Sequence, residues 1–343
     1  MSKYEDVIVS SFEEYYDLVK EGKPMSTIVF KDEDMYKDFL SYLEKYDDDL
    51  TTDLIKAEIY LKGLGVDVDK DKAFHYALLS SEKMDVRGLN LLANCHYSGI
   101  GTPKNLDNAL ACYQMAASKD YALAYYNLWY FYVEAGYPYT NYYIAPMYLE
   151  KAAELGDPTS TFYLGIIYFT GMGVAQSYEM AAYWYLKAAE FDDKYVDINL
   201  GIMYENGFGV EASYDQAGKW YQKAASNGNI EAMYKYALCL YNTKKHDEAF
   251  THFMIAAKKD NPDAQGWVAK CYLEESGVKR IDSEVYYWAN LAARNDSCLG
   301  QSILSECYKT GIGIKRDKEK AKYWDFVYEH NLHKKANKNN RVS

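Results

Sequence analysis

A column of small residues recurs along this chain: Ala73, Ala109, Ala145, Ala181, Ala217, Ala249, Val285 and Ala321, with every step 36 residues except one of 32. A second column follows seven residues later, from Ala116-Ala117 through Ala152-Ala153, Ala188-Ala189, Ala224-Ala225 and Ala256-Ala257 to Ala292-Ala293. A third places Tyr60, Tyr132, Tyr168, Tyr204, Tyr272 and Tyr308 near the end of the preceding segment, with His96 and Leu240 in the same slot. Three columns in one register define a repeat, and a repeat of this length constrains the fold before any other feature does. At 343 residues the chain exceeds one compact core, so an elongated array or two domains is expected.

Each unit reads as two helices. In the second, apolar positions 0, 3, 4, 7 and 8 from the small column share one face, as in Ala181, Trp184, Tyr185, Ala188 and Ala189. Asp69, Asn105, Asn141, Ser177, Ser213 and Asp317 stand four residues before the column as N-caps, and acids follow in the first turn, where the helix dipole favours them. Asp120, Gly156, Asp192, Gly228, Asp260 and Asp296 end the helix eleven residues after the column, where a left-handed residue is wanted. The first helix carries a small residue, Leu, Gly and Tyr, as in Ser160, Leu164, Gly165 and Tyr168, and the small side chains let the two helices approach closely. One pair cannot bury its apolar face alone, so neighbours must stack.

The pattern Leu-Gly-x-x-Tyr-x-x-Gly-x-Gly-Val, followed by an acid, Ala, an aromatic and Lys-Ala-Ala, resembles the Sel-one-like repeat, a relative of the tetratricopeptide repeat. It is clearest from Leu164 to Ala189 and from Leu200 to Ala225, with further copies at Gly63, Gly99 and Gly311. The resemblance implies an all-α fold, a right-handed α/α superhelix (solenoid) of about eight antiparallel helix-pair repeats over residues 51–331. Two copies depart: the third has Ala135-Gly136-Tyr137 in place of Gly-x-Gly, and the sixth has lost four loop residues. Residues 1–50 lie outside the register and carry 6 basic and 14 acidic residues. Their two amphipathic stretches, Ser11 to Lys20 and Glu33 to Tyr46, each follow a β-branched run, which predicts a mainly helical cap with short strands. The basic segment 332–343 is expected to be a disordered tail.

Several chemistries find no support. Gly171-Met-Gly173 and its counterparts lack the strand and third Gly of a dinucleotide loop and the Gly-Lys-Ser/Thr of a P-loop, so they read as turns between helices. Cys95, Cys239, Cys271 and Cys307 fill a column otherwise held by Ile59, Phe131, Ile167 and Met203, which is a core slot rather than a metal or disulfide pattern. His96 and His252 fall in aromatic columns, and no catalytic triad or His-Glu-x-x-His motif stands out, so no catalytic residues, metal or cofactor are expected. A net charge of -12 disfavours nucleic acid. The start MSKYEDVIVS has no signal-peptide character, and no run of apolar residues is long enough to span a bilayer, so a cytoplasmic location with reduced thiols is expected.

By resemblance to tetratricopeptide arrays, the first helices line a concave face. Counting from the small residue, positions -1, 2, 6 and 9 oppose the core on the helical wheel. They collect Arg87, Asn90, Asn94 and Tyr97, then Tyr126, Tyr130, Phe162, Ile166 and Phe169, and finally Tyr195, Ile198, Tyr234, Leu238 and Tyr241. The candidate partner-binding residues are Asn90, Asn94, Tyr126, Tyr130, Phe162, Phe169, Tyr195, Tyr234 and Tyr241. Tyr gives contact area with little rotamer entropy to lose, which suits it to protein recognition. The expected function is a non-catalytic adaptor or scaffold gripping a protein or peptide segment. The alternatives are an inhibitor or immunity-type protein that masks a toxin or enzyme, and a cell-wall ligand-binding or hydrolytic protein.

Overall fold

The computed structural model describes residues 7–23, 25–30, 35–44, 50–191 and 194–339. The chain divides at Asp193 and Lys194 into two compact units.

Unit one starts with two β-then-α segments. Strands β1 (Val7–Val9) and β2 (Ile28–Phe30) pair in parallel, Val7 opposite Ile28 and Val9 opposite Phe30, with α1 (Phe12–Lys20) as the crossover that a parallel pair requires. Ser11 caps α1 by accepting from the Glu14 N–H at 3.1 Å. With α2 (Met35–Leu43) these elements enclose an aromatic core in which Tyr15 stacks on Phe30 at 4.9 Å and Phe39 meets Phe30 edge-on at 5.0 Å. The same buried cluster runs on through Leu54, Ile59, Ala77 and Leu92 of the first helix pairs. The expected strands and helices of this segment are therefore present; residues 33–34 and 45–46 of the second amphipathic stretch lie outside the described residues.

Four helix pairs follow: α3 (Leu50–Lys62) with α4 (Lys70–Glu82), α5 (Val86–Ser98) with α6 (Leu106–Ala117), α7 (Ala122–Glu134) with α8 (Ala145–Glu154), and α9 (Pro158–Thr170) with α10 (Tyr178–Ala189). Unit two holds four more: α11 (Lys194–Asn206) with α12 (Tyr214–Ser226), α13 (Ile230–Asn242) with α14 (His246–Ala257), α15 (Pro262–Glu274) with α16 (Asp282–Arg294), and α17 (Cys298–Thr310) with α18 (Lys318–Asn339). Partners within each pair pack directly on one another, and within each unit the pairs stack. The small columns are the packing sites: Ala109, Ala181, Ala217, Ala249 and Val285 are all fully buried.

The turns repeat as faithfully as the helices. In each of six loops the N-cap residue of the second helix donates its backbone N–H to the carbonyl in the Tyr column, from Asp69 to Tyr60, Asn105 to His96 and Ser177 to Tyr168 onward, at 2.8–3.0 Å. Asp69, Asn105, Ser177 and Ser213 then cap with their side chains as expected. The third copy differs. Asn141 accepts from the Tyr143 and Ile144 N–H groups, but the helix begins only at Ala145, because Pro146 fits the first turn of a helix and not its interior. At the far ends Asp120, Asp260 and Asp296 adopt φ of 56°, 63° and 63°, beside Gly156 and Gly228; Asp192 lies outside the described residues.

Glu275 occupies a slot that other copies fill with Gly, and takes the same left-handed conformation at φ 57°. A β-carbon there costs about 1 kcal/mol. Glu275→Gly is therefore expected to raise stability by about 1 kcal/mol in urea titration, whereas the exposed neighbour change Lys279→Gly is not.

The last helix, α18, departs from the second helix of the preceding repeat. Where α16 presents Ala289, Ala292 and Ala293, α18 carries Asp325, Tyr328 and Glu329, and Asp325 accepts from Ser305 Oγ at 2.6 Å and Lys309 Nζ at 2.8 Å. Polar side chains thus stand where the preceding repeat has its alanines. Contrary to the expected disordered tail from residue 332, α18 continues to Asn339. The segment from His333 to Asn339 has no Pro or Gly, and its Lys and Ala residues are good helix formers that extend a helix already nucleated.

Candidate functional site

The first helices place the predicted residues less openly than a single groove face would. Residue 2 of one first helix meets residue 3 of the next within a unit, so the wheel position opposite the core is partly covered. Asn127 Nδ2 donates to Asn90 Oδ1 at 2.8 Å. Tyr126 lies 6.1 Å from Tyr163 and 5.4 Å from Trp129, and burial pushes its hydroxyl pKa up to about 12. In unit two Tyr234 is held in the same relation to Trp267, and burial again raises its hydroxyl pKa.

The nine candidates thus separate. Asn90 is only 4% exposed, while Asn94 is half-buried and accepts from the Tyr113 hydroxyl at 2.6 Å. Phe162 packs beside Tyr163 and Tyr185, and Phe169 turns onto Tyr178 at the start of the second helix, 5.2 Å away. Tyr130, 45% exposed, and Tyr195, 51% exposed, are the two that stand open. Tyr130 also meets Tyr97 edge-on at 6.2 Å. Tyr241 packs on Trp267 and His246, each at 4.8 Å, and its hydroxyl contacts Glu274 at 3.2 Å.

Position 3, with Asn127, Tyr163 and Trp267, was missed because it sits about 100° from the core centre on the wheel, at the boundary between faces. Its large aromatic occupants are the signal that could have found it. Arg87, assigned to the open arc, instead fixes the cap: its guanidinium grips Asp85 through Nε at 3.1 Å and Nη2 at 2.9 Å, while Nη1 donates to the Val19 carbonyl at 2.6 Å.

Unit one also contains a cavity of about 600 Å³, walled by the end of α1 and the following loop, by α3, and by the starts of α5, α7 and α9. Asn90 and Asn94 face it from α5, beside Leu54 and Leu91, and Lys23 stands exposed at its rim. The acids on its wall are engaged: Glu58 pairs with Lys62, and Asp157 accepts from the Ser160 N–H and hydroxyl at 2.6 and 2.5 Å. This volume suits a few residues of an extended segment.

The cysteines behave as packing residues. Cys95, Cys239, Cys271 and Cys307 are buried, and desolvation pushes their thiols up to about 11, 12, 12 and 11. Thiolate is the reacting form, so these four are expected to resist iodoacetamide in the native protein and to react only in denaturant, as peptide mass mapping would read. Half-buried Cys298 should react first. His96 lies against Phe74 and His252 against Tyr236, with burial lowering both imidazole pKa values. Among the described residues no three His, Cys, Asp or Glu side chains gather to hold a metal ion.

Helix pairs at a fixed interval, close-packed through small columns and joined by one recurring turn, define an α-solenoid of short helical repeats. The chain belongs to the Sel1 repeat family, whose profile matches residues 57–83, 86–121, 121–157, 158–190, 197–229, 230–261, 262–297 and 299–324. Among solved structures it is similar to a protective antigen of uropathogenic Escherichia coli displaying an SLR fold, with 21% identity over 95% of this chain and 80% of that one and a TM-score of 0.52. It also matches a Sel1 repeat protein from Oxalobacter formigenes, 23% identical over 93% of this chain and 83% of that one at a TM-score of 0.47. An immunity protein from Pseudomonas aeruginosa is 18% identical over 71% and 81% of the two chains at 0.37. No curated protein matches the chain. Repeats of this kind generally mediate protein–protein interaction and are typically non-catalytic. Among the described residues no helix is long and apolar enough to cross a membrane.

Proposed function

We propose that this protein is a non-catalytic adaptor that grips a polypeptide segment along the first helices of its repeats. The observation that carries the reading is the neighbourhood of the unit-one cavity: one wall bears Asn90 and Asn94 of α5, and α7, which begins at the cavity, carries Tyr126 and exposed Tyr130 further along. Exposure alone would not select this face, since Tyr183, Tyr287 and Tyr323 on second helices are 47%, 55% and 59% exposed. Those residues stand at position 2 of their second helices and do not line the unit-one cavity. The first-helix face combines a concavity with rigid aromatic area, the combination that interface anchors require.

Affinity purification with quantitative mass spectrometry tests this, comparing the wild type with Tyr130→Ala/Tyr195→Ala and with the control Tyr183→Ala/Tyr287→Ala. Both variants should melt near the wild type, since each removes exposed rings. A specific partner should fall at least fivefold with the first variant and persist with the second. Equal recovery by both would refute the assignment to the first helices.

A further inference from the structure

We propose that copies of this chain associate head to tail, an exposed row of α18 in one copy docking on α1 of the next. The starting observation is a helix face that the preceding repeats cover and α18 leaves open. One residue past the small column, the second helix of each earlier repeat in unit two meets the first helix of the repeat that follows. A β-carbon on Gly218 of α12 would touch Cys239 and Tyr236 of α13 at 3.4 and 3.8 Å, Phe250 of α14 meets Tyr272 of α15 at 5.3 Å, and Tyr286 of α16 meets Tyr308 of α17 at 6.0 Å. In α18 the same position is Lys322, whose side chain is 74% exposed. Four residues on, Phe326 is 67% exposed. Among the described residues α18 packs closely on α17 alone.

The charge of this row selects its occupant. Lys318, Lys322, Phe326, His330 and Lys334 are all exposed and follow one another at four-residue spacing, so neighbours lie about 6 Å apart along one stripe. Phe326 and His330 stack with centroids 6.3 Å apart and planes 23° from parallel, which puts a flat ring pair between cations at either end. A second α18 cannot fill the place: parallel register sets each Lys against its own copy, and antiparallel register about Phe326 sets Lys318 against Lys334. An acidic row is required, and α1 carries one at the same spacing in Glu13, Asp17 and its C-cap Glu21, all exposed and with no base among them. Half-buried Leu18 lies beside these acids and offers Phe326 an apolar contact. Complementary potentials of this kind fix register and partner choice. Aromatic and basic members of the α18 row share one stripe, whereas a helix lying in a bilayer surface keeps them on opposite faces. Because the two surfaces differ, the contact is heterologous and closes to a ring or runs on as a filament.

Sedimentation velocity of the full-length protein, at up to about 0.1 mM, reads contacts of micromolar strength. It is run at about 0.1 M and about 1 M salt, between which the screening length falls from about 10 Å to about 3 Å. The proposal expects mass to rise with protein concentration at the lower salt and to return to that of the monomer at the higher. The net charge of -12 acting alone predicts the reverse order, since it drives copies apart until salt screens it. Glu13→Lys/Asp17→Lys/Glu21→Lys and Lys318→Glu/Lys322→Glu/Lys334→Glu should each stay monomeric, while an equimolar mixture of the two associates again, each now carrying the row that the other needs. That recovery also shows both variants to be folded. Phe326→Ala should weaken wild-type association about tenfold. Wild type that stays monomeric at the lower salt overturns the proposal. Association that survives reversal of one row overturns that row as part of the contact, and two variants with wild-type melts whose mixture stays monomeric overturn the pairing of α1 with α18.

Discussion

Gly173→Ala is expected to lower the melting temperature of unit one by about 10 °C. Gly173 is the second glycine of a Gly-x-Gly turn, held at φ 76°, and a β-carbon there would overlap the carbonyl oxygen of Tyr142, in the loop of the preceding repeat. Two costs combine: about 1–2 kcal/mol for a left-handed non-glycine residue and about 1–3 kcal/mol for overpacking against backbone that cannot rotate away. At about 2–4 °C per kcal/mol for a unit of this size, their sum predicts the shift. Gly156→Ala separates the two costs, because Gly156 is also left-handed, at φ 87°, but its β-carbon would meet nothing within 4 Å. It should cost about 1–2 kcal/mol only. Differential scanning calorimetry of both variants checks the difference; equal shifts would mean that the turn glycines serve conformation alone and not the contact between repeats.

Phe253→Ala should cost unit two about 3–5 kcal/mol, the range for deleting a fully buried aromatic ring. Phe253 is fully buried, stacks on Trp267 with centroids 5.2 Å apart and planes 10° from parallel, and lies 6.2 Å from Tyr234. It thus joins the second helix of the sixth repeat to the first-helix aromatics of the sixth and seventh. Removing it leaves Trp267 and Tyr234 without their backing, so any partner reading those rings loses a rigid surface as well. Phe253→Leu refills most of the volume and should recover more than half of the loss in urea titrations. A cost below about 1 kcal/mol for the alanine variant would show that the site collapses freely and that the stacked rings are not a load on the fold.

The helices, their caps and their turns were legible in the sequence because each is decided within one repeat: an N-cap, an alanine at the crossing, a left-handed residue at the end. Even the buried cysteines were readable, since a column of Ile, Phe and Met surrounds them. What failed was decided between repeats. The wheel that opened position 2 to a groove treated one helix in isolation, whereas Tyr126 and Asn90 are covered by residues 37 positions further on, Tyr163 and Asn127. Arg87 looked free because its acceptor, the Val19 carbonyl, is 68 residues away. Pro146 delayed a helix that Asn141 should have opened, a local signal overridden by a nearer one. The cavity, formed where the cap meets the starts of three helices, has no single-segment signature.

The most direct test of the account replaces Tyr130 and, separately, Tyr183 with the photo-crosslinking amino acid benzoylphenylalanine and irradiates the protein with its recovered partner. Both sites are similarly exposed, at 45% and 47%, so access to the reagent does not distinguish them. A crosslinked adduct at residue 130, absent at residue 183 and competed by an excess of the partner's own peptide, is the predicted result. An adduct at residue 183 with none at residue 130 would contradict the claim that the first helices are the binding face.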